Sequence, residues 1–268
     1  MSRVAWYLYA IARAGAAEVA GLEGVEEGQG VAVVGCGDLD ALVSIVPLDE
    51  YESAGEQERP ADPDWVIPRA LRHERVVAEV AARSAALPAR FGTVFSSEEA
   101  VAALVARHRQ RIVEFLGEVE GKDEWSLIGY TEPERIAERL LETEPSLCDR
   151  FKQLPANPGA RYFAEKTLRG ESRTLAKRAA RTATRQMRDL LSGVTTTRDL
   201  PTRKPEAPGR EMVIHLACLL PREDAGNTIE LVRAMTSQGD TPLIDLRITG
   251  PWPPFNFCPE LVSSPEAT

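Results

Sequence analysis

The chain has 268 residues, 43% of them hydrophobic and 27% charged, with a formal net charge of −9. These are ordinary values for a globular protein able to bury a core, and no short repeat or low-complexity tract interrupts them. No apolar run approaches the ~18–20 residues of a membrane span, and the opening stretch alternates Trp6, Tyr7, Leu8 and Tyr9 like a strand rather than a leader peptide.

In chain order, residues 4–11 ("VAWYLYAI") read as a first strand. Two β-rich runs follow within 28–48, around Gly35-Cys36-Gly37-Asp38. That glycine spacing is a hairpin signal and not a phosphate loop, because "ALVSIV" after it is another strand and no helix follows. Residues 52–63 read as a polar surface loop. Ile67, Leu71, Val77, Val80 and Ala81 then recur at helical spacing between Asp64 and Ala86, with Pro68 near the first turn. "LPARFGTVF" (87–95) reads as a strand, and Ser96-Ser97-Glu98-Glu99 cap a helix through about Leu116. The charged "EVEGKDE" stretch leads into a strand centred on Trp125–Gly129. After it come a helix over 133–142, an irregular connection over 143–160, and a long helix over 161–191. Strands at 194–200, 211–220 and 242–250 close the chain, with a helix over 224–237 between the last two.

This succession predicts an α+β protein of two domains. Residues 1–122 form an N-terminal α/β sandwich. Residues 123–268 form a modified ferredoxin-like domain with extra helices, since β, helices, β, β, α, β is the split βαβ order.

The charge is unevenly spread. Residues 1–60 hold three bases against eleven acids, whereas residues 161–192 hold nine bases against three acids. Lys166, Arg169, Arg173, Lys177, Arg181, Arg185 and Arg188 recur three or four apart, which places them on one face of the long helix. A solvated face, or one docked on the acidic half of the chain, is the favoured reading. An anionic partner is the second. Nucleic acid is the weakest, because the chain is acidic and carries neither helix-turn-helix nor RRM patterns. His73 and His108 are expected to face solvent, and His215 to be a satisfied core or edge residue. Cys36, Cys148, Cys218 and Cys258 have no metal-ligand spacing, and Cys36 and Cys218 are expected as small buried hydrophobes. No catalytic motif, nucleotide loop, metal site or cofactor site is legible, so none is expected.

Two stretches stand out. Arg90-Phe91-Gly92 breaks the "LPARFGTVF" run with a cation, a ring and a flexible glycine; a structural Arg90 with a core-filling Phe91 is favoured over a partner or domain interface. Trp252, Pro253, Pro254 and Phe255 end the last apolar run with a stiff aromatic ribbon through which no helix or central strand can pass. "WYLYAIAR", "LPARFGTVFSSEEAV" and "TGPWPPFNF", in that order and with "RALRHERVV" between the first two, resemble the gas vesicle protein F/L family (GvpF/GvpL) along nearly the whole chain. Phe255 and Asn256 depart from the Tyr and Ser common at those places.

The resemblance implies an accessory protein in the assembly of gas vesicles, the cytoplasmic gas compartments of buoyant prokaryotes. It further implies the N-terminal α/β and C-terminal ferredoxin-like domains, and binding to the small hydrophobic shell subunit together with other accessory proteins. From this the expected role is non-enzymatic and chaperone-like, limiting premature aggregation of the shell subunit, with no nucleic acid or lipid membrane as partner. The alternative is an enzyme or small-ligand binder on ferredoxin-like domains, which host many activities. The prolines are expected to blunt the edge of the last strand, while Trp252 and Phe255 cover the core.

Overall fold

A computed structural model describes residues 3–55, 62–202, 207–236 and 243–261. The chain divides into two compact units, 1–124 together with 251–268, and 125–250. The expected division placed the aromatic tail in the second domain. It packs instead in the first unit, because Phe255 lies against that unit's aromatic core and Asn256 is bound by Glu124.

The first unit is built on a sheet ordered β2 (Ala32–Cys36), β3 (Leu39–Pro47), β1 (Val4–Arg13), β4 (Ala86–Pro88), with β5 (Val94–Phe95) also on β1. The pairings are antiparallel, Cys36 opposing Leu39 across the hairpin and Trp6 opposing both Ile45 and Phe95. β1 is central, which explains its unbroken burial from Ala5 to Ala12 apart from half-buried Trp6. α1 (Leu48–Gly55) occupies the start of the expected polar loop, whose residues 56–61 lie outside the described residues.

α2 (Pro63–Arg83) opens with Asp62, whose side chain accepts from the Asp64 amide, and tolerates Pro68 in its second turn. It buries His73, Val76, Val77, Val80 and Ala81 against Tyr7, Tyr9 and Val46 of the sheet. α3 (Glu98–Val119) is capped by the Ser97 side chain at the Ala100 amide, the capping that satisfies a free first-turn donor. Its Val101, Val105, Ile112 and Phe115 are buried, and it packs on β1, β2 and β3.

The second unit contains most of a sheet ordered β7 (Thr196–Asp199), β8 (Glu211–Pro221), β6 (Lys122–Thr131), β9 (Asp245–Trp252). With α4 (Pro133–Thr143), α5 (Pro145–Lys152), α6 (Pro158–Val194) and α7 (Ala225–Thr236) between strands, the succession is the split βαβ order with an enlarged first crossover. β9 lies at the sheet edge, where Pro251 costs no ladder donor.

The expected irregular connection over 143–160 contains helix α5. Its Pro145 sits in the first turn, where a missing N–H is harmless, and Leu147 packs on Leu141 and Leu168. The expected 87–95 strand is two short strands, since Arg90, Phe91 and Gly92 leave the ladder. Residues 237 and 242, at the ends of the last expected helix and strand, lie outside the described residues.

Gly129 has a steric reason to be glycine. A Cβ there would meet Ile214 Cγ2 at 2.3 Å and Ile244 Cγ2 at 2.8 Å. Helices α4 and α6 come close through Ala137, Ser172 and Ala176, the Ser172 hydroxyl donating to the Ala137 carbonyl. Cys218 is buried as expected, whereas Cys36 is half-buried.

Candidate functional site

Arg90-Phe91-Gly92 and Pro253-Pro254-Phe255 lie far apart in sequence and meet in the first unit. Their common floor is a cluster of Tyr7, Tyr9, Tyr51 and His73. Phe91 stands edge-on to His73 with centroids 5.9 Å apart, and Phe255 is tilted over the same imidazole at 6.5 Å. The Cys258 thiol reaches the Pro88 carbonyl at 3.6 Å, a weak further tie between tail and loop.

The imidazole holds this junction by a defined tautomer. Its Nε2 lies 3.2 Å from the Ala89 carbonyl oxygen, which can only accept, so Nε2 carries the proton. Nδ1 therefore accepts from the Tyr7 hydroxyl at 2.9 Å. That hydroxyl oxygen in turn accepts from the Gly92 amide at 3.1 Å. One strand residue and one helix residue thus pin both ends of the Ala89–Gly92 loop, and Gly92 supplies the left-handed turn with φ of 83°.

His73 was expected in solvent, yet it is 3% exposed. Burial pushes its pKa down to about 4, partly offset by the Ala89 bond. Burial likewise pushes the Tyr7 hydroxyl well up. At neutral pH His73 is neutral with both ring nitrogens engaged, and Tyr7 keeps its proton, so this pair is a structural brace.

A second brace closes the tail. Glu124 is 3% exposed and accepts from the Asn256 backbone amide at 2.8 Å and from the Asn256 side-chain amide. Beside the cluster, Arg69 and Tyr51 both donate to Glu26 at 2.8 Å. Desolvation pushes the Glu26 carboxyl up, and these bonds outweigh it and hold the group below its usual range. Arg69 also stacks 4.5 Å above Trp65.

The groups of the junction differ in exposure. Arg90 is exposed and has no ion pair among the described residues. Phe91 and Phe255 are half-buried, Gly92 is exposed, and Pro253 and Pro254 are buried. Trp252, expected to cover the core, is 42% exposed. Sequence reading missed His73, Tyr7, Glu124 and Asn256. The first had a usable signal, since it shares the helical stripe of Val76, Val77 and Val80.

The basic face of α6 is largely paired within its own unit. Arg169 binds Glu165, Arg173 binds Glu134, Lys177 approaches Glu211 and Arg188 binds Asp199. Lys166, Arg181 and Arg185 remain exposed. His215 is buried, with Nδ1 2.7 Å from the Pro201 carbonyl, the satisfied core histidine that was expected. His108 is half-buried. Among the described residues no group of three or more His, Cys, Asp or Glu is placed to hold a metal ion, and no helix is long and apolar enough to cross a membrane.

The family model for the gas vesicle synthesis protein GvpL/GvpF matches residues 5–259. The chain belongs to the GvpL/GvpF family. It is 28% identical to gas vesicle protein L of Streptomyces sp. (strain CB03234) over 221 residues, 82% of this chain and 80% of that protein. To gas vesicle protein F of the same strain it is 27% identical over 233 residues, 85% and 88% of the two chains. The crystal structure of GvpF from Anabaena sp. PCC7120 superposes with a TM-score of 0.66 at 17% identity, covering 98% of this chain and all of that one. GvpF from Microcystis aeruginosa gives 0.61 at 21% identity, over 94% and 98%. These structures share the fold.

Proposed function

We propose that this protein is a non-enzymatic, cytoplasmic accessory factor that binds the gas vesicle shell subunit and limits its aggregation before assembly. A vesicle wall must turn an apolar face to the gas, so the free subunit exposes apolar surface and strand edges in water, an aggregation hazard. The observation that carries the reading is the junction of the first unit, where Arg90, Phe91 and Phe255 bring rings and a cation toward the surface, with the exposed Trp252 three residues before Phe255. Its brace is already satisfied internally, so the loop is held in place before a partner arrives, which lowers the ordering cost of binding. A net charge of −9 on the bound factor would keep the complex dispersed by repulsion. Other accessory proteins of the vesicle are further partners in this reading.

The test is light scattering of the shell subunit diluted from denaturant, with and without this protein at equal concentration. Suppressed scattering is expected, weakened by Phe91→Ser with Trp252→Ser. Unchanged aggregation together with no co-purification would sink the reading.

A further inference from the structure

Helix α6 carries two kinds of arginine. Those bound to Glu165, Glu134 and Asp199 are neutralised locally. Arg178, Arg181 and Arg185 are exposed and have no carboxylate partner among the described residues. At ~100° per residue the three fall within about 60° of one another, on the side opposite the buried Ala176, Ala180 and Met187. Their eight-residue span covers only ~10 Å of helix axis. Asp189 is exposed on the same side, four residues after Arg185, and the cluster still keeps a net positive charge in a chain whose net charge is −9.

The same side continues toward the helix start through Thr174, Gly170 and Thr167, all exposed. It ends at Phe163, 69% exposed, and its neighbour Tyr162, 62% exposed. Those rings pack edge-on at 5.6 Å. The outward side of α6 is therefore a strip with the guanidinium groups of Arg178, Arg181 and Arg185 at one end, small residues between, and the exposed Phe163 ring at the other, with Tyr162 about 100° round the helix and packed edge-on against it. From Phe163 to Arg181 is ~27 Å along the axis.

We propose that this strip docks an acidic segment of a protein partner, its carboxylates on Arg178, Arg181 and Arg185 and an apolar side chain on Tyr162 and Phe163. Charge complementarity selects the occupant. Guanidinium forks match carboxylates two bonds at a time, and the aromatic end adds contact that a purely anionic ligand cannot use. A nucleic acid fits poorly, because tight binders neutralise ~6–10 phosphates, more than the three guanidinium groups of this strip can meet. This surface is separate from the aromatic junction of the first unit, and the proposal stands or falls without that reading.

The experiment measures fluorescence anisotropy of a labelled Glu-rich peptide with a Leu cluster at one end, against the full-length protein at low and near-physiological salt. Arg178→Gln, Arg181→Gln and Arg185→Gln together are expected to weaken binding by about tenfold or more, each lost pair removing one charge-assisted contact. Arg169→Gln with Arg173→Gln, which removes paired arginines, is expected to leave affinity within about twofold. Phe163→Ser with Tyr162→Ser is expected to weaken binding and leave its salt dependence intact. Circular dichroism checks that each variant keeps its helix.

The proposal is overturned if the triple variant binds like wild type, or if no binding is detected at low salt. It is also overturned if a short DNA duplex or an anionic vesicle binds more tightly than the peptide at near-physiological salt. Self-association in sedimentation that the triple variant abolishes would identify a second copy of this chain as the occupant and overturn the choice of partner.

Discussion

The aromatic junction of the first unit and the outer side of α6 in the second unit both reach the surface, and they are built in opposite ways. At the junction nearly every polar group has an internal partner: Gly92 to Tyr7, Tyr7 to His73, His73 to Ala89, Asn256 to Glu124. On α6 the charges of Arg178, Arg181 and Arg185 are left to water. A buried polar group without a partner costs far more than an exposed one. The junction is therefore fixed by its own structure, whereas the helix strip is free to be changed. The difference teaches where substitutions test folding and where they test recognition.

The largest expected break is at His73. Its pKa is depressed from 6.5 to about 4, so between those values the unfolded chain binds more protons than the folded one. The stabilisation is fully present above pH 6.5, is lost as pH falls, and is gone below about 4. It amounts to roughly 3 kcal/mol at most. Urea midpoints across that window should show the slope, and a folded His73→Phe variant should lose that component. An unchanged slope in the variant would remove His73 as the brace.

Glu124→Ala comes next. It leaves the part-buried Asn256 donors without their acceptor and is expected to cost about 1–2 kcal/mol, with Glu124→Gln costing less because one oxygen remains. Hydrogen exchange should show new exposure near residues 253–258 and 88–92. Exchange confined to the second unit would contradict the placement of the tail.

Gly129→Ala moves the comparison to the second unit's core, where the added carbon clashes with Ile214 and Ile244. Overpacking of this kind costs about 1–3 kcal/mol, readable as a lower denaturant midpoint. The smallest effect is expected from Arg173→Ala, which breaks an exposed pair with Glu134. Exposed pairs contribute little, so the midpoint should stay within error. A marked drop would mean that the paired side of α6 is part of the core's support.

Much of the secondary structure was legible because its signals are local. Alternation in "VAWYLYAI", the Gly37-Asp38 turn, Ser97 as a cap and the 3.6-residue recurrence of α2, α3 and α6 depend only on near neighbours. Helix α5 was missed because the three prolines at 145, 155 and 158 read as breakers, although Pro145 falls in a first turn where it is tolerated. His73 was misread because its neighbours Arg72 and Glu74 are charged. Its own face is that of Val76 and Val77, and only packing against Tyr7 and Phe91 makes that face the inside.

By itself the order of residues determined the α+β class, the succession of elements, the uneven charge and, through three quoted stretches, the family. Tertiary structure decided where the tail ends up, which arginines of α6 find carboxylates and which do not, and that two distant aromatic motifs share one imidazole. Those outcomes depend on which side chains long-range folding brings within hydrogen-bonding distance, and pairing across a hundred residues leaves no trace in local periodicity.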